Sequence, residues 1–146
     1  MLEHKESRIL PQTPTQLYDL VSDVEEYPNF IPGCLACHVV NAIDAHKIRA
    51  RMTVGHGIFK ESFECDVQFT PKEHIEVSGA QGVLSHLLNQ WTFEEDGHGC
   101  RVTFLIEFKF NNFMVETMFR GFFDQAAQKI MVAFEKRAAE IYGSAS

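Results

Sequence analysis

The sequence is short of polar aromatic residues, of positive charge and of long apolar runs. Its 146 residues hold 3 Tyr and 1 Trp against 13 Phe. Rings without a polar group can line an apolar interior without needing hydrogen-bond partners. Lys and Arg total 13 against 20 Asp and Glu, a formal net charge of −7. That balance argues against a generic nucleic-acid binder, whose affinity comes from neutralising phosphates, and DNA is not an expected partner. No stretch approaches the roughly 18 consecutive apolar residues of a spanning helix. The polar start, 1–6, lacks an apolar h-region and an Arg-rich transit pattern, so the expected compartment is the cytoplasm. The 4 Cys then read as reduced thiols before disulfides.

There is no internal repeat, no low-complexity run and no linker, and the length suits one domain of roughly 100–200 residues, here 1–146. A chain of this size buries about 68–70% of its unfolded surface, enough for a core without staples. Apolar residues at 45% and charged residues at 23% exclude wholesale disorder.

Residues 5–10 read as a strand ended by Pro11. Thr13 as N-cap and Pro14 at the first position predict a helix through Ser22, with Leu17, Leu20 and Val21 on its apolar face. Asp23 is a candidate cap for a second, short helix that Pro28 and Pro32 limit. From Leu35 the period changes to two. Ile48, Ala50, Met52 and Val54 alternate with Arg49, Arg51 and Thr53. Phe59, Glu61, Phe63, Cys65, Val67 and Phe69 share the next face, and Ile75 and Val77 the one after. Asn89, Trp91 and Phe93 are in phase, as are Val102, Phe104, Ile106, Phe108 and Phe110. Such alternation gives one wet and one buried face, as in antiparallel sheet. Residues 55–57, 71–72 and 96–99 are turn signals.

Residues 113–142 then carry apolar residues at helical spacing, with Gly143 as a stop, predicting one helix about 45 Å long. One apolar sheet face and one long helix to cover it predict an α+β fold, a curved antiparallel sheet around the C-terminal helix.

Cys34-x-x-Cys37 with His38 invites a zinc reading, but a structural site needs four ligands in paired clusters. Cys65 and Cys100 are isolated, and on a regular strand Cys34 and Cys37 point to opposite faces, so no metal is expected. His4, His38, His46, His56, His74, His86 and His98 are scattered near turns. No spacing gives a nucleophile–base pair, a phosphate loop or a dinucleotide fingerprint, so no catalytic residue is assigned. Glu61 shares an apolar face, where an unpaired carboxylate is costly. It reaches water at a strand end, pairs with Arg49 or Arg51 after a register change, or serves as a polar handle in a cavity. Asn89 poses the same question. Met114, Met118, Phe119, Phe122 and Phe123 ring the start of the long helix, which therefore needs cover on every side. Met beside Phe suits an adaptable apolar pocket.

Segments 7–10 (SRIL), 16–34 (QLYDLVSDVEEYPNFIPGC) and 133–142 (AFEKRAAEIY), together with Asn89-x-Trp91-x-Phe93, resemble the coenzyme Q-binding START-domain family. That family groups with polyketide cyclase/lipid-transport proteins and has bacterial members called ribosome association toxin A. The likeness runs over residues 5–142, and Asp23-Val24-x-x-Tyr27-Pro28-x-Phe30-x-Pro32-x-Cys34 is its most specific part. Gln90 departs from it, standing where relatives tend to carry a basic residue. The resemblance implies a helix-grip fold, with seven antiparallel strands around a long C-terminal helix and two short helices after strand 1. It implies a non-enzymatic protein that binds ubiquinone or another polyisoprenoid lipid and supports respiration as a quinone chaperone. Peripheral contact with the inner membrane goes with that reading. The bacterial branch implies an alternative, binding to the large ribosomal subunit that blocks subunit association. A polyketide cyclase-type enzyme is the third reading.

The face assignments place Met52, Phe63, Trp91, Phe104 and Phe108 inside, with Met118 and Phe122 facing them. A long apolar ligand needs a tunnel with a mouth, and Val24–Cys34 carries more apolar surface than so short a segment leaves in water. Tyr27, Phe30, Met114, Met118 and Phe122 are expected to frame that mouth. With Glu61 and Asn89 these residues make up the candidate ligand cavity.

Overall fold

The computed structural model describes residues 1–79, 81–82, 84–97 and 99–143. Of the residues singled out above, His98 and the side chains of His56 and Phe59 lie outside the described residues.

Chain order is β1 (Leu2–Leu10), α1 (Pro14–Ser22), a 3-10 helix (Val24–Asn29), β2 (Cys34–Asp44), β3 (Lys47–His56), β4 (Phe59–Thr70), β5 (His74–Gly79), β6 (Leu84–Asp96), β7 (Gly99–Phe110), α2 (Phe113–Arg120) and α3 (Phe123–Tyr142). Among the described residues seven strands form one sheet in the order β1-β7-β6-β5-β4-β3-β2, and all six pairings are antiparallel. Consecutive strands are therefore neighbours from β2 to β7, and β1 closes the row beside β7. This is the expected α+β helix-grip architecture.

Local chemistry explains the elements. Thr13 caps α1 as expected: its Oγ1 accepts from the Gln16 N–H at 3.1 Å, and Gln16 Oε1 accepts from the Thr13 N–H at 3.0 Å. Such a reciprocal cap stabilises a helix by about 1 kcal/mol. Asp23 does not act as a cap, since its side chain makes no capping hydrogen bond to the 3-10 helix. Pro28, inside that short helix, has no N–H to extend it.

The expected single C-terminal helix is two. Phe122 has φ −134° and ψ 4°, outside helical geometry, directly after Gly121. Gly121 weakens the helix locally. Phe119, Phe122 and Phe123, spaced i, i+3 and i+4, share one face, and all three line the space between helix and sheet. Beyond it, α3 buries Phe123, Ala127, Met131, Phe134 and Ala138, a stripe at helical spacing. Met131 and Phe134 each contribute roughly 1.5–3 kcal/mol by burial. No helix among the described residues is long and apolar enough to cross a membrane.

Candidate functional site

Sheet and helix do not close completely on each other. Between them lies a cavity of about 350 Å³, near the lower end of the roughly 300–1,000 Å³ of small-molecule sites. Its sheet wall is the inner face of alternating strands. Ala50, Met52 and Val54 come from β3, Phe63 and Val67 from β4, Val77 from β5, and Phe104, Ile106, Phe108 and Phe110 from β7. Its roof is α3 with Phe119 and Phe122, and its side is the 3-10 helix with Ile31–Gly33.

The expected inner residues Met52, Phe63, Trp91, Phe104 and Phe108 all line this cavity, as do Glu61, Asn89, Tyr27 and Phe122. Trp91 forms the floor, its ring centroid 4.6 Å from Phe104 and 4.7 Å from Phe134. Asn89 is a committed polar group: its Nδ2 donates to the Leu105 carbonyl at 2.9 Å, and its Oδ1 accepts from Trp91 Nε1 at 3.1 Å. It orients the indole. Glu61 is not paired with arginine, because Arg49 lies against Asp66 at 3.1 Å and Arg51 against Glu64 at 3.9 Å. Glu61 stands opposite Val54 in the ladder, partly exposed, toward the strand end where the cavity opens.

Four placements differ from expectation. Tyr27 is wall, not mouth. It is buried edge-on to Phe134 at 5.4 Å, and its hydroxyl donates to the Val21 carbonyl. Burial foremost, with Cys37, Cys34, Cys65 and Asp23 nearby, pushes its pKa well above the ordinary value. Phe30 is off the cavity, edge-on to Phe134 at 5.1 Å and beneath the Arg137 guanidinium at 5.4 Å. Met114 and Met118 stand in solvent on the outer face of α2. At 3.6 residues per turn Met114 lies half a turn around the helix axis from Phe123, and Met118 half a turn from Ala127, so the face that buries Glu116, Phe123 and Ala127 leaves both methionines outside.

The actual mouth is edged by Pro32, Gly33, Gly55, Phe122, Gln125 and Lys129. The Gly55 N–H donates to the Gly33 carbonyl at 2.9 Å, tying the loop before β2 to the end of β3. Gln125 and Lys129 are exposed rim residues on the flank of α3, outside its buried stripe, so no apolar periodicity pointed to them. Leu84 and Leu87, also on the wall, escaped because a register shift between Leu84 and His86 breaks strict alternation.

Cys34 and Cys37 do not diverge. Cys34 pairs with Val54 and Ala36 with Thr53, a register shift that leaves Leu35 extra. This bulge resets the alternation, so both thiols are buried on the cavity wall. Burial pushes Cys34 up to about 11 and Cys37 and Cys65 up to about 12. They are neutral thiols at neutral pH, poor nucleophiles and poor metal ligands. Among the described residues no group of three or more His, Cys, Asp or Glu is placed to hold a metal ion. The arrangement encloses an apolar molecule and offers it few polar contacts.

Comparison with known proteins agrees with this architecture. The profile of a family described as polyketide cyclase/dehydrase and lipid transport matches residues 10–135. The ribosome association toxin RatA of Vibrio cholerae is 31% identical over 144 residues, 98% of this chain and 99% of that protein. The mitochondrial coenzyme Q-binding protein COQ10 homolog B of Xenopus laevis is 29% identical over 147 residues, 97% of this chain and 60% of that protein. An 18 kDa protein of Caulobacter crescentus with a known solution structure is 34% identical, with TM-score 0.81, over 99% of this chain and 100% of that one. The Zhui aromatase/cyclase from Streptomyces shares the fold, with TM-score 0.80 at 9% identity over 95% of this chain and 94% of that one.

Proposed function

The chain belongs to the polyketide cyclase/dehydrase and lipid transport family, and from that premise we propose that it binds a ubiquinone-like polyisoprenoid lipid without transforming it. The observation that carries this reading is the open apolar cavity, whose inner polar groups are committed or inert, with Glu61, Gln125 and Lys129 standing toward its mouth. Asn89 holds Trp91, Tyr27 holds the Val21 carbonyl, and the thiols stay protonated. A cyclase needs an acid or base within hydrogen-bond reach of its substrate; the ionisable wall residues Glu61 and Lys129 stand toward the mouth, away from the rings of Trp91, Phe104 and Phe134. The relatives cited above are named as a binding protein and a toxin, and the likeness to an aromatase/cyclase is one of fold.

A cavity of about 350 Å³ takes a quinone ring and the first part of a tail. The rest of a long tail leaves by the mouth, where Phe122 gives it an apolar edge. Holding the ring among Trp91, Phe104 and Phe134 is how such a protein would keep a quinone dispersed for the respiratory chain.

Native mass spectrometry of protein purified without detergent should show a co-purified quinone mass. A short-tailed quinone should quench Trp91, the single tryptophan, and Ala50→Phe should block the quenching by filling the cavity from a fully buried position. Absence of both the mass and the quenching would overturn the reading. The name and 31% identity of the Vibrio cholerae relative favour a second reading, binding to the large ribosomal subunit. The net charge of −7 weighs against it, since a ribosomal surface is rich in phosphate. Co-sedimentation with large subunits tests it.

A further inference from the structure

Sheet register assigns every turn to one of two ends. Phe110 pairs with Leu84, Phe108 with Leu2 and Leu87, and Gly79 with Leu87. Cys34 pairs with Val54, and β3 and β4 run on past this row to the turn at 57–58. The end of β7, α2, the β3–β4 turn and the loop before β2 therefore share the end at which the cavity opens.

The four most exposed large hydrophobic residues described are all at that end: Ile58 at 106%, Met114 at 79%, Phe113 at 74% and Met1 at 59%. Met118 follows Met114 by one helical turn on the same outer face. Exposed cations surround them, with Lys60 beside the β3–β4 turn, Lys109 at the end of β7 and Lys129 on the rim. From the rim a groove runs along the outside of α3 toward the closed end, sharing Pro32, Gln125 and Lys129 with the cavity and adding Lys136, Arg137 and Glu140. The acids of this end are partly withdrawn. Glu116 is buried against Arg120 and the Met1 ammonium, whereas Asp124, 3.4 Å from His4, keeps its side chain 76% exposed. Glu3 and Glu61 remain. At the opposite end the turns carry Asp44, Glu73, Glu94, Glu95 and Asp96 against Lys47 and Lys72.

We propose that the open end is a docking face for an anionic lipid bilayer, with Ile58, Phe113 and Met114 entering the acyl boundary while Lys60, Lys109 and Lys129 rest on the headgroups. Apolar tips within a cationic surround match a bilayer interface; a phosphate-rich RNA surface rewards the cations and leaves the tips in water. The orientation sets the cavity mouth on the membrane, so a lipid crosses between bilayer and cavity without traversing water. The inference deepens the lipid-binding reading above and rests on it for its purpose.

The test is co-sedimentation of the full chain with vesicles of phosphatidylcholine, alone or with added phosphatidylglycerol. Wild type should pellet with the phosphatidylglycerol vesicles and be released by salt. Ile58→Ser with Met114→Ser should lower the partition coefficient at least about tenfold, and Lys60→Glu or Lys109→Glu roughly fivefold each. All these side chains are exposed, so thermal melts should match wild type. Quenching of Trp91 in solution by a short-tailed quinone should survive the Ile58 and Met114 substitutions, which separates docking from ligand binding. If wild type docks but quinone never quenches Trp91, the docking face stands and the quinone reading falls. The proposal is overturned if wild type ignores both vesicle types, or if the substituted chain docks as wild type does. It is equally overturned if the chain pellets with large ribosomal subunits in preference to vesicles.

Discussion

The two ends of the sheet are built from the same alternating strands and finish differently. At the closed end α1 lies across the strands, burying Leu17, Leu20 and Val21, and Tyr18 meets Phe93 edge-on at 6.0 Å. The end of α3 is tied down there, Gln12 Nε2 donating to the Gly143 carbonyl at 3.0 Å. Ile75, Cys100 and Ala138 are fully covered. At the open end the helix breaks, the loop before β2 lies against Gly55, and a cavity remains. Alternation makes a buried face but does not decide what fills it. Where helix and sheet meet all along, the face becomes core. Where the covering helix is interrupted, the same face becomes a binding wall.

The sharpest way to break this contrast is to substitute one glycine from each end. Gly99 has φ +147°, and a Cβ there would collide with the backbone carbonyl of Leu10, neither of which can move without shifting β1. Gly99→Ala should cost about 4 kcal/mol or more and lower the melting temperature by roughly 10 °C or more. Gly57, at the exposed β3–β4 turn, has φ +62° and open space around it. Gly57→Ala should cost only about 1–2 kcal/mol, the ordinary penalty of left-handed backbone. Equal melting temperatures for the two variants would mean that the closed end is not the more tightly packed.

Two phenylalanines make the same contrast within the cavity. Phe134 packs against Tyr27, Phe30 and Trp91, so Phe134→Ala should cost about 3–4 kcal/mol in denaturant titration. Phe122 is half-buried on the rim, and Phe122→Ala should cost about 1 kcal/mol while weakening quinone quenching of Trp91 by more than tenfold. If Phe122→Ala instead loses several kcal/mol and keeps its quenching, Phe122 is core and the mouth lies elsewhere.

Much of the closed end could be read from the sequence, and less of the open end. Strict period-two runs such as Val102–Phe110, which crosses from the closed end to the open one, and the Thr13 cap depend on neighbours in sequence, and both stand where they were expected. Readings failed where the local phase was reset. A bulge at Leu35 turned Cys34 and Cys37 to one face, and the helix broke at 121–122, with Met114 and Met118 left in solvent. Neither event leaves a strong local signal. Gly121 alone would be tolerated in a helix at about 1 kcal/mol, so its presence did not mark the break.

The thiols sharpen the contrast through pH. Burial holds Cys34 and Cys100 at about 11 and Cys37 and Cys65 at about 12, against an ordinary value of 9.0. A folded pKa above the unfolded one means stability that is complete below pH 9 and is lost as pH rises through the folded values. Denaturant melts should therefore be flat, as far as the thiols are concerned, from pH 7 to 8. Stability should then fall by about 1 kcal/mol in total by pH 9. Cys37→Ser with Cys65→Ser should remove part of that fall. Rapid reaction of all four native thiols with a disulfide reagent at pH 8 would contradict the burial from which this follows.

The smallest expected effect is confined to α2, the element that separates the two ends most clearly. Glu116 is the inward-facing charge of that helix, its side chain 11% exposed. It accepts from the Phe110 N–H at 3.2 Å and lies 3.5 Å from the Met1 ammonium and 3.7 Å from Arg120. The Phe110 hydrogen bond chiefly holds its pKa below the usual value of 4.5, with help from both cations and against the opposing effect of burial. A lowered folded pKa gives stability that is present above the unfolded value and lost as pH falls through the folded one. Acid should therefore loosen α2 from β7 while the closed end stays shut. Hydrogen exchange should show the Phe110 amide and α2 losing protection below pH 4.5, while the amides of Cys100 and Ala138 keep theirs. Glu116→Gln preserves the acceptor for Phe110 and abolishes the charge, so α2 should exchange at one rate, relative to the closed end, on both sides of that pH. Loss of protection in α2 and at Cys100 together, at the same pH, would show that the open end has no stability of its own.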